Sequence, residues 1–155
     1  MPRFLIACFT AAVLSLPAFA HAQEAVSADP FLGAEGCKTC HAEVAAAWAK
    51  TKHARAMDSL SGSDRTNAGC VTCHITAKPD TVADQLTKPH HPNVQCEACH
   101  GAGRAHAEQS AAGTLVLAGI AKAPAESVCT ACHNPKSPSY KGFFYPGMKG
   151  LVHKH

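Results

Sequence analysis

The sequence has no apolar run long enough to cross a bilayer. The one near its start, Phe4 to Leu16, falls short of the roughly 20 residues that a helical span needs, so no stable membrane span is expected. It also lacks a strong charge of one sign. Fourteen Lys and Arg face 11 Asp and Glu, a formal net charge of +3, too weak a bias to point to nucleic acid. Aromatic residues are only 6% of the chain, and the stretches between its motifs hold little from which to build an ordinary core. Apart from Cys8, no cysteine lies outside four short words of one pattern.

Residues 1–22 read as a secretory signal peptide. Arg3 supplies the positive end, Phe4 to Leu16 the apolar stretch, and Pro17 breaks it before the small-residue sites Ala18-Phe19-Ala20 and Ala20-His21-Ala22. Cleavage is expected after Ala22, with Ala20 the neighbouring choice. Leu5-Ile6-Ala7-Cys8 looks like a lipoprotein cleavage box but sits too early, so Cys8 is expected to be discarded. The product is a periplasmic chain of 133 residues, with an N-terminal segment over 23–36 and one domain over 37–155.

Eight cysteines in an exported chain would ordinarily suggest disulfides. Here they spell Cys37-Lys38-Thr39-Cys40-His41, Cys70-Val71-Thr72-Cys73-His74, Cys96-Glu97-Ala98-Cys99-His100 and Cys129-Thr130-Ala131-Cys132-His133. Residues three apart share a helical face. Two thiols so placed reach the two vinyl groups of one porphyrin, and the histidine that follows turns under the ring to ligate the iron. Zinc requires no histidine directly after each second cysteine, and disulfides leave the histidines unexplained. Four covalent haems c are therefore expected, attached through those eight cysteines and ligated by His41, His74, His100 and His133. Their propionates would turn the holoprotein net acidic. The first and second words lie 33 residues apart, as do the third and fourth, which hints at two duplicated halves.

The predicted fold is mainly α with extensive loops and little or no sheet, a multihaem cytochrome c fold organised around its cofactors. Ala42 to Leu60 reads as one alanine-rich helix, with Val44, Ala47, Trp48 and Thr51 at helical spacing. Gly101 to Ala112 suggests a shorter one. Thr76 to Asn93, with Pro79, Pro89 and Pro92, should be irregular. Thr114 to Ile120 is a short apolar run, strand or packed loop. Trp48, Phe143, Phe144 and Tyr145 are expected to pack on porphyrin faces.

Six further histidines remain: His53, His90, His91, His106, His153 and His155. They form four groups, because His90/His91 and His153/His155 are near neighbours. Four groups for four irons is the count that bis-histidine ligation needs. Met57 and Met148 are the other strong candidates, and methionine would raise the potential. A continuous Ala42–Leu60 helix would carry His53 about 18 Å beyond His41 at 1.5 Å per residue, so the two could not share an iron. His106 is likewise too close to His100 to reach round the same ring. The expected distal set is His53, His106, His91 (or His90) and one of His153 and His155.

The chain resembles the cytochrome c-554 family of periplasmic multihaem cytochromes. The likeness lies in Phe31-Leu32-Gly33-Ala34-Glu35-Gly36-Cys37, in Trp48 followed by Lys52-His53-Ala54, and in Asn93-Val94-Gln95-Cys96-Glu97-Ala98-Cys99-His100-Gly101 with His106 downstream. It ends in Cys132-His133-Asn134, Ser137-Pro138 and a terminal aromatic cluster with histidine. The resemblance implies a mostly helical fold with closely packed haem pairs, supports His53 and His106 as distal ligands, and favours His153 over His155. It implies an electron carrier rather than an enzyme, with redox proteins as partners. Two other functions fit the same motifs: reduction or oxidation of a small nitrogen or oxygen species at one five-coordinate haem, and a homo-oligomeric, conductive filament.

Overall fold

A computed structural model describes residues 29–77, 81–114, 117 and 119–152. Within them the chain forms short helices joined by loops, with no strand; one isolated antiparallel bridge joins Ile75 and Pro92. The helices used below are α1 (Ala34–Lys38), α2 (Ala42–Trp48), α3 (Ala68–Val71), α4 (Cys96–His100), α5 (Arg104–Ala111), α6 (Glu126–Thr130) and α7 (Tyr145–Met148). Of the Thr114–Ile120 run, the described residues form no strand. No helix among the described residues is long and apolar enough to cross a membrane.

The helix expected over Ala42–Leu60 is shorter than its alanine content suggests. α2 ends at Trp48, and His53–Ser59 continues as 3₁₀ helix with a non-helical Arg55 at φ −131°. The cause is competition for backbone groups. The Thr51 hydroxyl donates to the Trp48 carbonyl at 2.7 Å, Val94 N–H donates to the His53 carbonyl at 3.1 Å, and Met57 N–H donates to Asn93 Oδ1 at 2.9 Å. Groups bonded across the fold cannot also serve an i to i−4 ladder. The second predicted helix is present, over Arg104–Ala111.

The buried apolar core is small. Met57, Val71, Ile75 and Val82 cluster, with Leu60, Ala77 and Leu86 half-buried against them. Full burial of such a side chain contributes about 1.5–3 kcal/mol. Arg65 closes one side by donating to the carbonyls of Met57 and Leu60, at 2.9 and 3.0 Å.

The segment 91–95 joins this core to the other words. Thr76, only 1% exposed, donates its hydroxyl to the Asn93 carbonyl at 3.0 Å and accepts from Gln95 N–H at 2.8 Å. Asn93 takes a positive φ of 71°, a left-handed conformation that asparagine tolerates better than most residues. The fold therefore passes from one haem word to the next through backbone bonds more than through packed side chains.

Candidate haem-binding site

All four words are single helical turns. In the first, His41 N–H reaches the Cys37 carbonyl at 3.0 Å; in the second, Cys73 N–H reaches Cys70 at 3.1 Å. The third is α4 itself, and in the fourth His133 N–H reaches Cys129 at 2.9 Å. Each places its two thiols on one face with the histidine just beyond.

Distant words meet. α1, which carries Cys37, packs on α4, which carries Cys96, and the thiols of Cys37 and Cys96, like those of Cys73 and Cys132, lie close enough to act on one another's ionisation. First therefore lies beside third, and second beside fourth, across the 33-residue periodicity. The Cys37 thiol pulls that of Cys96 down to about 7, while the Cys96 thiol and then burial push Cys37 up. Burial, then the Cys73 thiol beside it, pushes Cys132 up to about 12.

Two of the histidines that end the words are already oriented for a metal. His74 Nδ1 lies 2.7 Å from the Ala56 carbonyl, and His100 Nδ1 lies 2.6 Å from the Ala121 carbonyl. A carbonyl only accepts, so Nδ1 carries the hydrogen in both and Nε2 keeps its lone pair. Gly101, at φ +90°, permits this turn: a side chain there would meet the Gly119 carbonyl oxygen at 2.5 Å.

His53 approaches the fourth word. Its ring centre stands 5.9 Å from that of His133, with the planes at 61°. Two imidazoles on opposite sides of one metal, each bonded at about 2.0–2.1 Å, have centres roughly 6 Å apart. Burial, then the neighbouring His133, holds the His53 imidazole below its usual value and so favours the neutral form that a metal needs. Phe143 stacks on His133, at 4.9 Å and 16°. Of the other aromatics, Phe144 is exposed, while Trp48 donates its indole N–H to the Val94 carbonyl at 2.9 Å.

The remaining candidates are less converged. His41 is exposed and lines a cavity of about 300 Å³ with Cys40 and Val44. His106 is half-buried on α5. His91 Nε2 lies 2.9 Å from Asp29 Oδ2, and its ring packs near Phe31 and Gly33. His90 is 3.9 Å from the same carboxylate. Burial opposes ionisation of Asp29, but the Phe31 N–H and His91 outweigh it and hold the carboxyl below its usual value. His153, His155 and the signal peptide lie outside the described residues.

These residues fit covalent haem: paired thiols on helical turns, histidines with Nε2 left for iron, and an imidazole pair at axial separation. Among the described residues no group of three or more His, Cys, Asp or Glu side chains is arranged to hold a bare metal ion. A family model described as cytochrome c554 and c-prime matches residues 36–101. A curated relative, cytochrome c-554 of Nitrosomonas europaea, is 30% identical over 120 residues, which is 66% of this chain and 51% of the relative. The chain thus spans about half the length of that relative. The solved structure of reduced cytochrome c554 from Nitrosomonas europaea superposes with a TM-score of 0.57 at 26% identity, covering 82% of this chain and 86% of that one.

The chain is similar to the cytochrome c554 family in sequence and in fold. The match extends to the fold, mostly helical with loops, and not to the motifs alone. One buried polar residue among the words escaped the sequence reading as an individual. Glu97, inside the third word, is 4% exposed, and nothing in one sequence separates its slot from those of Lys38, Val71 or Thr130. The only signal was its place in the stretch Asn93–Gly101 that carries the family likeness.

Proposed function

We propose that this chain, similar to the cytochrome c554 family, is a periplasmic tetrahaem electron carrier working between redox partner proteins. The observation that carries the reading is the meeting of distant words, Cys37 with Cys96 and Cys73 with Cys132. Cysteines this close, once each carried a haem, would hold those haems near one another in two pairs. Each bound haem supplies a one-electron ferric/ferrous couple.

Cys37, Cys40, Cys70, Cys73, Cys96, Cys99, Cys129 and Cys132 hold the four groups, and His41, His74, His100 and His133 ligate from the attached side. His53 completes the iron of the fourth word. His106 and His153 complete two others, and His91 serves the last through Nδ1, because Asp29 takes its Nε2. With a histidine on each side, the haems these residues would hold would have no free position for a substrate and would supply electron transfer alone.

The Asp29–His91 bond also favours a second reading. If it persists in the holoprotein with Nδ1 turned from iron, one haem is five-coordinate and able to bind a small nitrogen or oxygen species. Ferric electron paramagnetic resonance, with haem counted by pyridine haemochrome, separates the two. Four haems with low-spin signals alone support the carrier. One stoichiometric high-spin haem supports the enzyme, and fewer than four haems per chain sinks both.

A further inference from the structure

Glu97 lies between the first and third words. Both of its carboxylate oxygens accept backbone N–H groups: Oε1 from Leu32 and Gly103, Oε2 from Gly33, each at 2.7 Å. All three of these partners are donors, the arrangement that an ionised carboxylate satisfies with both oxygens. No cation neutralises it: Glu97 is in no ion pair among the described residues, and the guanidinium of Arg104 donates instead to the carbonyls of Asp29 and Phe31. Gly103 lacks a Cβ that would stand 3.1 Å from Oε1, so a backbone amide can come close where a side chain would crowd the site. The N–H groups of Leu32 and Gly33 lead into α1, which carries Cys37, while Cys96 adjoins Glu97 directly. Its charge is felt at both thiols.

The other words have nothing like it. The same slot holds Lys38 in the first, Val71 in the second and Thr130 in the fourth. Lys38 is exposed, its ammonium 3.4 Å from Glu35. Val71 is 0% exposed and clusters with Met57, Ile75 and Val82.

A fixed negative charge in a poorly solvated place opposes the addition of an electron nearby, and charge and burial are among the levers that set a haem's potential. We propose that Glu97 is a potential-setting and positioning residue, whose buried carboxylate locks the first word to the third and makes the haems on those two words the lower-potential pair of the four. This rests on the tetrahaem reading above.

The test is a spectroelectrochemical titration of holoprotein carrying Glu97→Gln or Glu97→Asp beside the unaltered chain. Glu97→Gln is expected to move two of the four midpoint potentials upward and leave the other two in place; Glu97→Asp, which keeps the charge, is expected to leave all four close to the parent. A four-haem Glu97→Gln protein with unmoved potentials overturns the proposal, as does a Glu97→Asp protein shifted as far as the glutamine variant. If neither variant assembles, an NMR redox titration of the unaltered protein decides, with haem resonances assigned word by word. The first and third haems must be the last reduced, and early reduction of either overturns it. Fewer than four haems in the unaltered chain defeats the tetrahaem reading instead, a result distinguishable from unmoved potentials.

Discussion

The second and third haem words bury the same position by opposite means. Val71 is fully enclosed and touches the apolar cluster of Met57, Ile75 and Val82. Glu97 is 4% exposed and is held by three backbone amides. The motif fixes two cysteines and a histidine and leaves this slot open, so local surroundings decide how each turn is anchored. An apolar anchor draws on transfer from water and tolerates small displacements. A buried carboxylate draws on directed bonds, and each donor must stay within reach. One half of the molecule should therefore respond to lost volume, the other to lost charge or lost direction.

Exchanging the anchors breaks the comparison most severely. Val71→Glu places a carboxylate where no donor waits, and an uncompensated buried charge costs about 3–5 kcal/mol. The expected outcome is loss of holoprotein on expression, or a large fall in the guanidinium unfolding midpoint. A variant that unfolds like the parent would mean that the cluster opens to water. Met57→Ala keeps the site apolar and removes volume. A buried methionine cut to alanine costs about 2–5 kcal/mol, read by the same unfolding curve. The two lower potentials, set at the other anchor, are expected to stay within error of the parent.

The four words, and the chemistry they imply, were legible because attachment is local: two thiols and a histidine must share one helical turn whatever surrounds them. The extent of α2 was not. The alanines after His41 favour helix, but Val94 and Asn93, some 40 residues on, take the backbone groups of His53 and Met57, and no window of local sequence contains that competition. The meeting of words was not legible for a related reason. Equal 33-residue spacings hint at two duplicated halves but do not say which words approach in space, and here Cys37 lies near Cys96 and Cys73 near Cys132. The straight helix that would separate His53 from His41 is absent, and His53 stands instead near His133. Its closeness to His133 depends on how the C-terminal segment folds back, which spacing does not reveal.

Smaller perturbations at the third word sharpen the comparison by separating charge from direction. Glu97→Gln removes the charge and leaves at least one buried N–H poorly served, about 1–3 kcal/mol, measurable by chemical unfolding at constant haem content. Gly33→Ala leaves the charge alone. Gly33 sits at φ 82° and ψ 161°, a region that residues with a Cβ adopt at a cost of about 1–3 kcal/mol, and the new methyl would lie 3.0 Å from His91 Nδ1. Its expected signature is lower stability, with any change of potential confined to the iron that His91 serves. A shift of the lower pair as large as that in Glu97→Gln would assign the effect to geometry rather than charge.

The smallest effect lies on the seam between the two halves. The Trp48 indole N–H donates to the Val94 carbonyl, and Val94 N–H donates to the His53 carbonyl, so one residue of the linking segment holds both the end of α2 and the turn that carries His53. Trp48→Phe keeps most of the aromatic surface and deletes one hydrogen bond, about 1 kcal/mol. Because the neighbouring bond from Val94 to His53 survives, the ring of His53 should stay opposite His133 and the ferric low-spin spectrum should not change. Stability should fall slightly and every haem signal should persist. A new high-spin component in this variant would show that the indole bond is what keeps His53 on the iron of the fourth word, and that the seam governs ligation as well as stability.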